Sequence, residues 1–461
     1  MEYKELTFQD LEKFKKILGD VYVDEIDIEN YASDATEQLK FYPDVVLKPS
    51  NAEEVSQIVK YCNENLLPIT PRGAGTGLSG GALPIKGGVV ISLERMNKIL
   101  SIDEKNFQVK LEAGVINYDL QLALSELNLF YPPDPSSWQS SFIGGNIMTN
   151  AGGARAVKYG VTSAYVLNLE MVLPNGEIIW TGANTLKNST GINLTQLFVG
   201  SEGTLGIVTK AILKVLPKPQ NEVTLLVPFM KIEEACDAVA ALFNAGVQPS
   251  SLEFMERRAI DAVLEFLGET NVPVEDEVEA HLLVSLDENI ENELENCLKV
   301  LGAFEVGEIL FAETESEKER LWKIRRRLST IVKQNGYTIE EDTVVPRAHL
   351  AKLVKSMHRL ADERGFRVVC YGHAGDGNLH IRINHPKHKN SYNIPEIQSI
   401  LKELFKIVRD LGGTISGEHG IGLVQRPYLP IVFCKSNLEL QKSIKKAVDP
   451  NNIMNPGKLY I

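Results

Sequence analysis

The stretch PRGAGTGLSGG, residues 71–81, follows a predicted strand and leads through Ala-Leu-Pro into a second predicted strand, GVVISL at 88–93. Its glycines at 75, 77 and 80 match the pattern GxGxxG. A Rossmann dinucleotide site needs a helix directly after these glycines, so that the helix N-terminus meets the pyrophosphate. A strand follows instead, which argues against a Rossmann fold. The loop can still bind a phosphate, because successive backbone N–H groups in a glycine-rich turn form an anion-binding nest. The alternative is an ordinary surface turn.

The composition indicates a globular chain of two or three domains. The sequence has 461 residues, 44% of them hydrophobic, and a formal net charge of −13. Such an acidic chain is a poor match for a phosphate backbone, so we expect no nucleic-acid partner. We find no signal-peptide pattern and no run of about 18 apolar residues. We therefore expect no membrane-spanning segment and a cytoplasmic location, peripheral to a membrane at most through partners.

The spacing of apolar residues predicts an α+β fold. A charged amphipathic helix is predicted within residues 1–20, and Ser50 with Glu53 is predicted to form the capping box of a second helix. The sequence Pro-Lys-Pro at 217–219 marks a domain boundary. Beyond it, strands and helices alternate in a way that favours an antiparallel sheet.

Three more segments are dense in glycine or in small polar residues. They are PPDPSS at 132–137, SFIGGNIMTNAGGARAVKYGVT at 141–162 and LFVGSEGTLGIVT at 197–209. Glycine permits positive φ angles and lets a backbone approach a ligand closely. Several such segments in one domain predict a long, extended ligand that lies between backbones.

Together these segments resemble the FAD-binding domain of the vanillyl-alcohol-oxidase-type flavoproteins, within the branch of the glycolate oxidase flavin subunit and the D-lactate dehydrogenases. The resemblance extends over residues 40–461. It implies a PCMH-type FAD-binding domain of two α/β subdomains, and an α+β, ferredoxin-like cap domain with an antiparallel sheet. The implied division is a helical lead-in (1–37), the FAD domain (38–217), the cap or substrate domain (218–411) and a C-terminal segment that returns to the FAD domain (412–461).

The resemblance also implies which residues bind FAD. The implied contacts are Pro71, Arg72, Gly73, Ala74, Gly75, Thr76, Gly77, Ser79, Gly80, Pro133, Asp134, Ser137, Gly144, Gly145, Asn146, Asn150, Gly152, Gly153, Glu202, Gly203, Gly206, Val208 and Asn455. The glycine loop would wrap the pyrophosphate, and the group from Glu202 to Val208 would lie near the adenine half. Members with covalent FAD often carry histidine at the position of Thr76, so the resemblance implies noncovalent FAD.

The sequence RVVCYGHAGDGNLHIRIN at 367–384 predicts a metal site. Asp376-Gly377 between two alternating runs is the signal of a two-residue hairpin loop. Such a loop makes His373 face His380 across the two strands, with both side chains on one face and close enough to bind one metal ion. The alternative is two core histidines, and a register shift of one residue would separate them.

The sequence GGTISGEHGIG at 412–422 supplies a third ligand and a base. Two histidines and the carboxylate of Glu418 leave coordination positions for a substrate, as catalytic metal sites do. The resemblance implies the same three ligands, and zinc, manganese and iron all remain possible. His419 is the candidate general base, because an imidazole suits proton abstraction near neutral pH. The alternatives are an N-capping glutamate and a structural histidine.

Three consecutive arginines, Arg325 to Arg327, lie on a predicted helix. Consecutive helical residues point about 100° apart, so at most one or two of them face a site. The resemblance implies that Arg325 binds the substrate carboxylate, whose planar shape matches the guanidinium fork. Arg326 or Arg327 is then predicted to be solvated.

The resemblance, together with these residues, implies the FAD-dependent oxidation of a small D-2-hydroxy acid, D-lactate or glycolate, with hydride transfer to flavin N5. The alternative substrate is D-2-hydroxyglutarate. The dehydrogenases that act on it tend to carry a lysine where Glu340 aligns. The acidic stretch IEEDTVVP at 339–346 would repel a second carboxylate, which favours the smaller acids.

The reduced flavin must pass its electrons on. The five cysteines include no CxxC pair, so we expect no iron–sulfur cluster in this chain. The expected acceptor is an electron-transfer flavoprotein, a quinone or an iron–sulfur subunit, and we expect a homodimer or a heteromeric complex. Two competing functions are a metal-dependent hydrolase without flavin and a flavin subunit that only relays electrons.

Overall fold

A computed structural model describes residues 3–36, 39–268, 275–387 and 394–460. Contacts between residues divide the chain into two compact units. The first consists of the residues up to Ala151, Val161–Lys218 and the residues from Glu418 onward. The second consists of Gly152–Gly160 and Pro219–Gly417. The predicted FAD domain included residues 152–160, which here group with the second unit.

The strands are β1 (Val45–Leu47), β2 (Ile69–Arg72), β3 (Val89–Ser92), β4 (Ile99–Asp103), β5 (Gln108–Glu112), β6 (Leu129–Phe130), β7 (Val166–Val172), β8 (Ile178–Trp180), β9 (Ile207–Lys214), β10 (Leu216–Pro217), β11 (Val223–Phe229), β12 (Ser251–Glu256), β13 (Ala280–Leu286), β14 (Leu310–Ala312), β15 (Ile339–Val344), β16 (Arg367–Gly372) and β17 (Asn378–Asn384). The helices are α1 (Phe8–Leu18), α2 (Glu25–Glu29), α3 (Ala52–Glu64), α4 (Asn117–Ser125), α5 (Ile143–Thr149), α6 (Ala156–Tyr159), α7 (Leu194–Phe198), α8 (Ile232–Asn244), α9 (Arg257–Leu267), α10 (Ile290–Leu301), α11 (Glu315–Gln334), α12 (Leu350–Arg364), α13 (Pro395–Asp410), α14 (Leu429–Val432) and α15 (Lys435–Val448).

Two larger sheets form the framework of the first unit. One is parallel, with the strand order β1-β3-β2. The other is antiparallel, with the order β4-β5-β9-β7-β8. The residues between β2 and β3, which contain the glycine loop, form no helix. The expectation that this GxGxxG does not open a Rossmann helix is therefore confirmed.

The capping box predicted for α3 is wrong by one residue. Asn51 is the N-cap, and its side-chain oxygen accepts a hydrogen bond from Glu54 N at 2.9 Å. Ser50 instead donates its backbone N–H to the Glu54 carboxylate at 2.7 Å. Asparagine caps as well as serine does, so composition alone does not locate the first turn. The first helix likewise begins later than the chain start, at Phe8.

One antiparallel sheet with the order β14-β11-β13-β12-β16-β17-β15 forms the framework of the second unit. Buried apolar residues of this sheet pack with the inner face of α11, which presents Leu321, Ile324 and Leu328. Because Arg325 lies between these positions it is buried, whereas Arg326 and Arg327 are exposed. The helices and antiparallel sheets confirm the α+β class. No helix among the described residues combines the length and apolar character that a bilayer crossing requires.

Candidate active site

Left-handed backbone angles and the side chain of Arg72 shape the glycine loop of the first unit. Gly75 and Gly80 both have φ of +74°, a region that favours glycine. The buried Arg72 guanidinium donates to the carbonyl oxygens of Asn30 and Ser33 at 3.0 and 2.8 Å. The Arg72 side chain therefore binds the N-terminal segment. A contact between Arg72 and a cofactor would have to come from its backbone.

Helix α5 lies against this loop and fits a polar, extended cofactor. A methyl group added at Gly73 would lie 3.6 Å from the Cα atom of Gly145. A methyl group at Gly145 or Gly77 would meet no atom within 4 Å, so both backbones are approachable from one side. The side-chain nitrogen of Asn146 is buried and has no hydrogen-bond partner among the described residues. Two accessible glycine backbones and an unsatisfied amide are the features that a cofactor such as FAD would cover.

Glu202 and Asn455 connect distant segments of the first unit. The Asn455 side-chain nitrogen donates to the carbonyl oxygens of Gly81 and Glu202 at 2.9 and 2.8 Å. The Glu202 carboxylate accepts from the backbone N–H groups of Ile421 and Gly422, each at 2.7 Å. Burial raises the pKa of Glu202, although these N–H groups act in the opposite direction. The Glu202 carboxylate is thus hydrogen-bonded by protein backbone. That Glu202 lies near the adenine half of FAD stays a prediction.

The two predicted metal-binding histidines lie side by side, but in a different register from the predicted one. His380 pairs across the strands with Tyr371, so the predicted pairing with His373 is wrong by two residues. Asp376 lacks the positive φ of a two-residue type I′ turn, and only Gly377, at +86°, has it. The connection is therefore longer. Because a shift of two residues retains the strand face, the His373 and His380 rings still lie 5.4 Å apart.

A buried carboxylate connects His373 with Arg325. Glu253, on β12, is 0% exposed, and it accepts from His373 Nδ1 at 2.7 Å and from Arg325 Nε at 2.6 Å. Burial alone would raise the pKa of Glu253, but the charges and hydrogen bonds of His373 and Arg325 lower it. The contact at Nδ1 orients the imidazole so that Nε2 would be its ligating atom. The contact at Nε leaves the Nη groups of Arg325 able to bind a carboxylate.

Asp342 is a further polar group beside His380. The two residues face each other across β15 and β17, and each offers a ligand atom within 4.8 Å of the other. The Asp342 carboxylate accepts from the Asn378 side-chain nitrogen at 2.6 Å and from Gly417 N at 2.9 Å. An imidazole and an oriented carboxylate on one face of a sheet can hold a divalent cation.

A second buried arginine lies near the histidines. Arg382 Nη2 is 2.5 Å from a carboxylate oxygen of Glu340, and it also donates to Ser329 Oγ at 2.6 Å. Arg382 Nε donates to the Tyr371 hydroxyl at 3.2 Å. The negative charge of Glu340 therefore has a cationic partner, Arg382. The acidic stretch at 339–346 is therefore not an exposed negative surface, because Glu340 pairs with Arg382 and the side chains of Glu341 and Asp342 are buried.

Glu418 and His419 belong to the first unit, and Glu418 follows Gly417 by one peptide bond. His419 Nε2 lies 3.9 Å from Glu418 Oε1, and both side chains are partly buried. A carboxylate and an imidazole are thus adjacent, as the sequence predicts.

Two family models match the chain. One, described as an FAD binding domain, matches residues 43–182. The other, described as the C-terminal domain of FAD linked oxidases, matches residues 218–459, more than half of the chain. The chain belongs to the FAD-linked oxidase family. The predicted family, the oxidoreductase class and FAD as cofactor are confirmed.

Named relatives of this FAD-linked oxidase match it over nearly its whole length. It is 41% identical over 434 residues to "Glycolate oxidase subunit GlcD" of Bacillus subtilis (strain 168), covering 93% of this chain and 92% of that one. It is 38% identical over 468 residues to "D-lactate dehydrogenase" of Anaerostipes hadrus, covering 99% and 98%. A solved structure of p-cresol methylhydroxylase with substrate bound matches with a TM-score of 0.80 at 21% identity, covering 98% and 96%. This last match confirms the predicted PCMH-type fold.

The FAD-linked oxidase assembles part of its predicted site within each unit. In the first unit, the predicted FAD segments meet around Gly73, Gly145 and Asn455. Gly152 and Gly153 fall in the second unit. The second unit brings Arg325, His373 and His380 together around one carboxylate and one sheet face.

Two acidic residues of this cluster, Glu253 and Asp342, could not be predicted from the sequence. Glu253 lies on β12, 120 residues before His373. Asp342 lies on β15, opposite His380 on β17. Local pattern does not reveal which strands pair, so neither position could be connected with a histidine. The one available signal was an acidic residue in the apolar strand around Glu253, because a buried charge is rarely kept without a partner.

Proposed function

We propose that this FAD-linked oxidase oxidises a small D-2-hydroxy acid, D-lactate or glycolate, to the corresponding 2-oxo acid. The observation that carries the proposal is the cluster of the second unit, in which His373 and His380 adjoin each other and Glu253 connects His373 with Arg325. A carboxylate-binding arginine beside potential metal ligands suits a substrate with adjacent carboxylate and hydroxyl groups. The relatives named as a glycolate oxidase subunit and a D-lactate dehydrogenase support the same substrate class.

Each residue has a distinct role in the proposed reaction. The Nη groups of Arg325 bind the substrate carboxylate, and Glu253 fixes the orientation of that guanidinium. The imidazole of His419 accepts the proton of the 2-hydroxyl group. FAD, which the glycine segments would hold noncovalently, would supply the hydride acceptor for this oxidation.

The proposal includes a divalent metal, zinc, manganese or iron, on His373, His380 and Glu418. Two imidazoles and a carboxylate are donors that these metals accept. Asp342 is a further candidate ligand, and its hydrogen bond with Gly417 N orients the residue that precedes Glu418. Such a metal would supply a Lewis acid for the 2-hydroxyl group of the substrate.

The ion pair between Arg382 and Glu340 favours a small substrate. Arg382 is the buried cation that could bind the distal carboxylate of D-2-hydroxyglutarate, but Glu340 already engages it. A second carboxylate would have to compete with Glu340 at close range. D-lactate and glycolate have no such group.

The electrons are proposed to leave through a partner, an electron-transfer flavoprotein, a quinone or an iron–sulfur subunit. The relative named as a subunit of glycolate oxidase supports a heteromeric complex. A homodimer and a cytoplasmic location also stay predictions.

The absorbance spectrum of the purified protein tests this function. We expect a flavin spectrum that anaerobic D-lactate or glycolate bleaches, because substrate oxidation reduces the flavin. D-2-hydroxyglutarate should bleach it with a kcat/KM at least about tenfold lower, which corresponds to about 1.4 kcal/mol in the transition state.

Three outcomes would contradict the proposal in different ways. A colourless protein that hydrolyses an ester or amide would indicate the hydrolase. A yellow protein that none of the three acids bleaches would indicate an electron-relay subunit. Faster bleaching by D-2-hydroxyglutarate would retain the reaction and change the substrate.

The metal assignment predicts that His380→Ala lowers metal affinity by more than about 100-fold, because even loss of an outer-shell partner costs about 10- to 100-fold. The measurement is elemental analysis after dialysis against a defined zinc or manganese concentration. His358→Ala is the matched control, because His358 is not among the proposed ligands and is hydrogen-bonded to Glu256. Equal metal content in His380→Ala and wild type would refute the assignment.

A further inference from the structure

The loop that follows His419 is attached to two residues of the glycine-dense segments. Both carboxylate oxygens of Glu202 accept backbone N–H groups of this loop, from Ile421 and Gly422. The carbonyl oxygen of Ser79 accepts the next N–H groups, those of 423 and 424, at 2.8 and 3.2 Å. Four consecutive backbone N–H groups of the loop therefore have acceptors on Glu202 and Ser79.

The contact is too close for side chains. Gly422 has φ of +48°, and a methyl group there would lie 2.2 Å from the carbonyl oxygen of Ser79. Gly420 has φ of +80°, and a methyl group there would lie 3.0 Å from a carboxylate oxygen of Glu202. The glycines on either side of Ile421 allow the backbone to reach these two acceptors, so the loop path depends on them.

Glu202 is itself held in an uncommon conformation. Its φ of +52° lies in the left-handed region, which non-glycine residues rarely adopt unless their surroundings determine it. Its own carbonyl oxygen accepts a hydrogen bond from Asn455 at 2.8 Å. The backbone of Glu202 is therefore anchored while its carboxylate makes two charge-assisted hydrogen bonds to the loop.

We propose that Glu202 is a positioning residue, which holds the backbone after His419 and thereby sets the place of the imidazole, and that its carboxylate is not a ligand of the FAD adenine. The inference rests on the proposed function, in which His419 is the base. His419 precedes by two residues the first N–H group that Glu202 accepts. A displacement of about 1 Å at a reacting group costs about 100-fold in rate, so the loss of the clamp should slow the reaction and leave FAD bound.

The Glu202→Gln variant separates positioning from cofactor binding. Glutamine keeps one acceptor oxygen but turns an NH₂ group towards the other backbone N–H. We expect kcat with D-lactate to fall about 10- to 100-fold in the FAD-saturated enzyme, with KM and the FAD dissociation constant within about twofold of wild type. Glu112→Gln is the matched control, because the buried Glu112 carboxylate accepts the backbone N–H of Lys98 at 2.9 Å. This control should retain wild-type values.

Amide hydrogen exchange gives a readout that needs no turnover. In the oxidised holoenzyme of Glu202→Gln, exchange at Ile421 and Gly422 should be at least about tenfold faster than in wild type and in Glu112→Gln, because these N–H groups lose their charged acceptor. Glu202→Asp retains the charge at a shorter reach and should lose less kcat than Glu202→Gln. This variant also serves if the glutamine variant does not fold.

The possible results are distinguishable. Weaker FAD binding with an unchanged kcat at saturation would make Glu202 a cofactor ligand and overturn the inference. Faster exchange at Ile421 without a change in kcat would show a clamp that does not position the base, which also overturns it. If wild type is yellow and no hydroxy acid bleaches it, the proposed function fails, and the role of Glu202 towards a base fails with it even where the exchange result stands.

Discussion

His419→Ala should bind FAD as wild type does and reduce its flavin with D-lactate about 10²- to 10⁴-fold more slowly, which is the usual contribution of a general base. The variant removes the proposed proton acceptor. It should leave the loop in place, because the hydrogen bonds from the loop to Glu202 come from the backbone N–H groups of Ile421 and Gly422. Anaerobic stopped-flow absorbance measures the bleaching rate directly, before any electron acceptor takes part.

Two controls make the result specific. His358→Ala removes another imidazole, one bonded to Glu256, and should bleach at the wild-type rate. Added imidazole should restore part of the rate in His419→Ala if the missing group is a base. Unimpaired bleaching in His419→Ala would refute the assignment and leave the FAD site intact.

Glu253→Gln should lower the free energy of unfolding by about 3–5 kcal/mol, the usual cost of breaking a buried ion pair. Arg325 and His373 are 7% and 5% exposed, so the variant leaves a buried guanidinium without its counter-charge. Denaturant unfolding measures the change, and FAD and chelator concentrations must be equal in all samples because ligands raise stability by mass action. Glu319→Gln is the matched control, because Glu319 pairs with the exposed Arg326 of the same arginine run. This variant should lower the free energy of unfolding by less than about 1 kcal/mol.

The effect should depend on pH with a defined sign. In the folded protein the pKa of Glu253 lies below its ordinary value. Its stabilisation is therefore complete above the ordinary glutamate pKa and is lost as the pH falls through the lowered folded-state pKa. The difference between wild type and Glu253→Gln should shrink in acid, whereas a difference that grows in acid would contradict the ion-pair explanation. Replacing Glu253 and Arg325 together by methionine should recover much of the loss.

Local sequence was sufficient for features that depend on neighbours along the chain. The strand after residues 71–81 excluded a Rossmann helix. The helical period limited the arginines that face a site to one or two of Arg325 to Arg327, and the structure buries Arg325 and exposes the other two. The predicted proximity of His373 and His380 was also correct although the register was not. A strand alternates with a period of two, so an error of two residues retains the face.

Tertiary structure alone decided which groups complete the site. Glu253 meets His373 because β12 pairs with β16, and it meets Arg325 because α11 packs on the same sheet. Asp342 meets His380 because β15 pairs with β17. Glu202 reaches Ile421 across 219 residues of sequence. The periodicity of apolar residues indicates which face of a strand a side chain lies on. It does not indicate which strands pair, because pairing depends on long-range packing of the whole sheet. The sequence by itself thus determined the cofactor class and the candidate donors, and the fold selected the carboxylates that orient them.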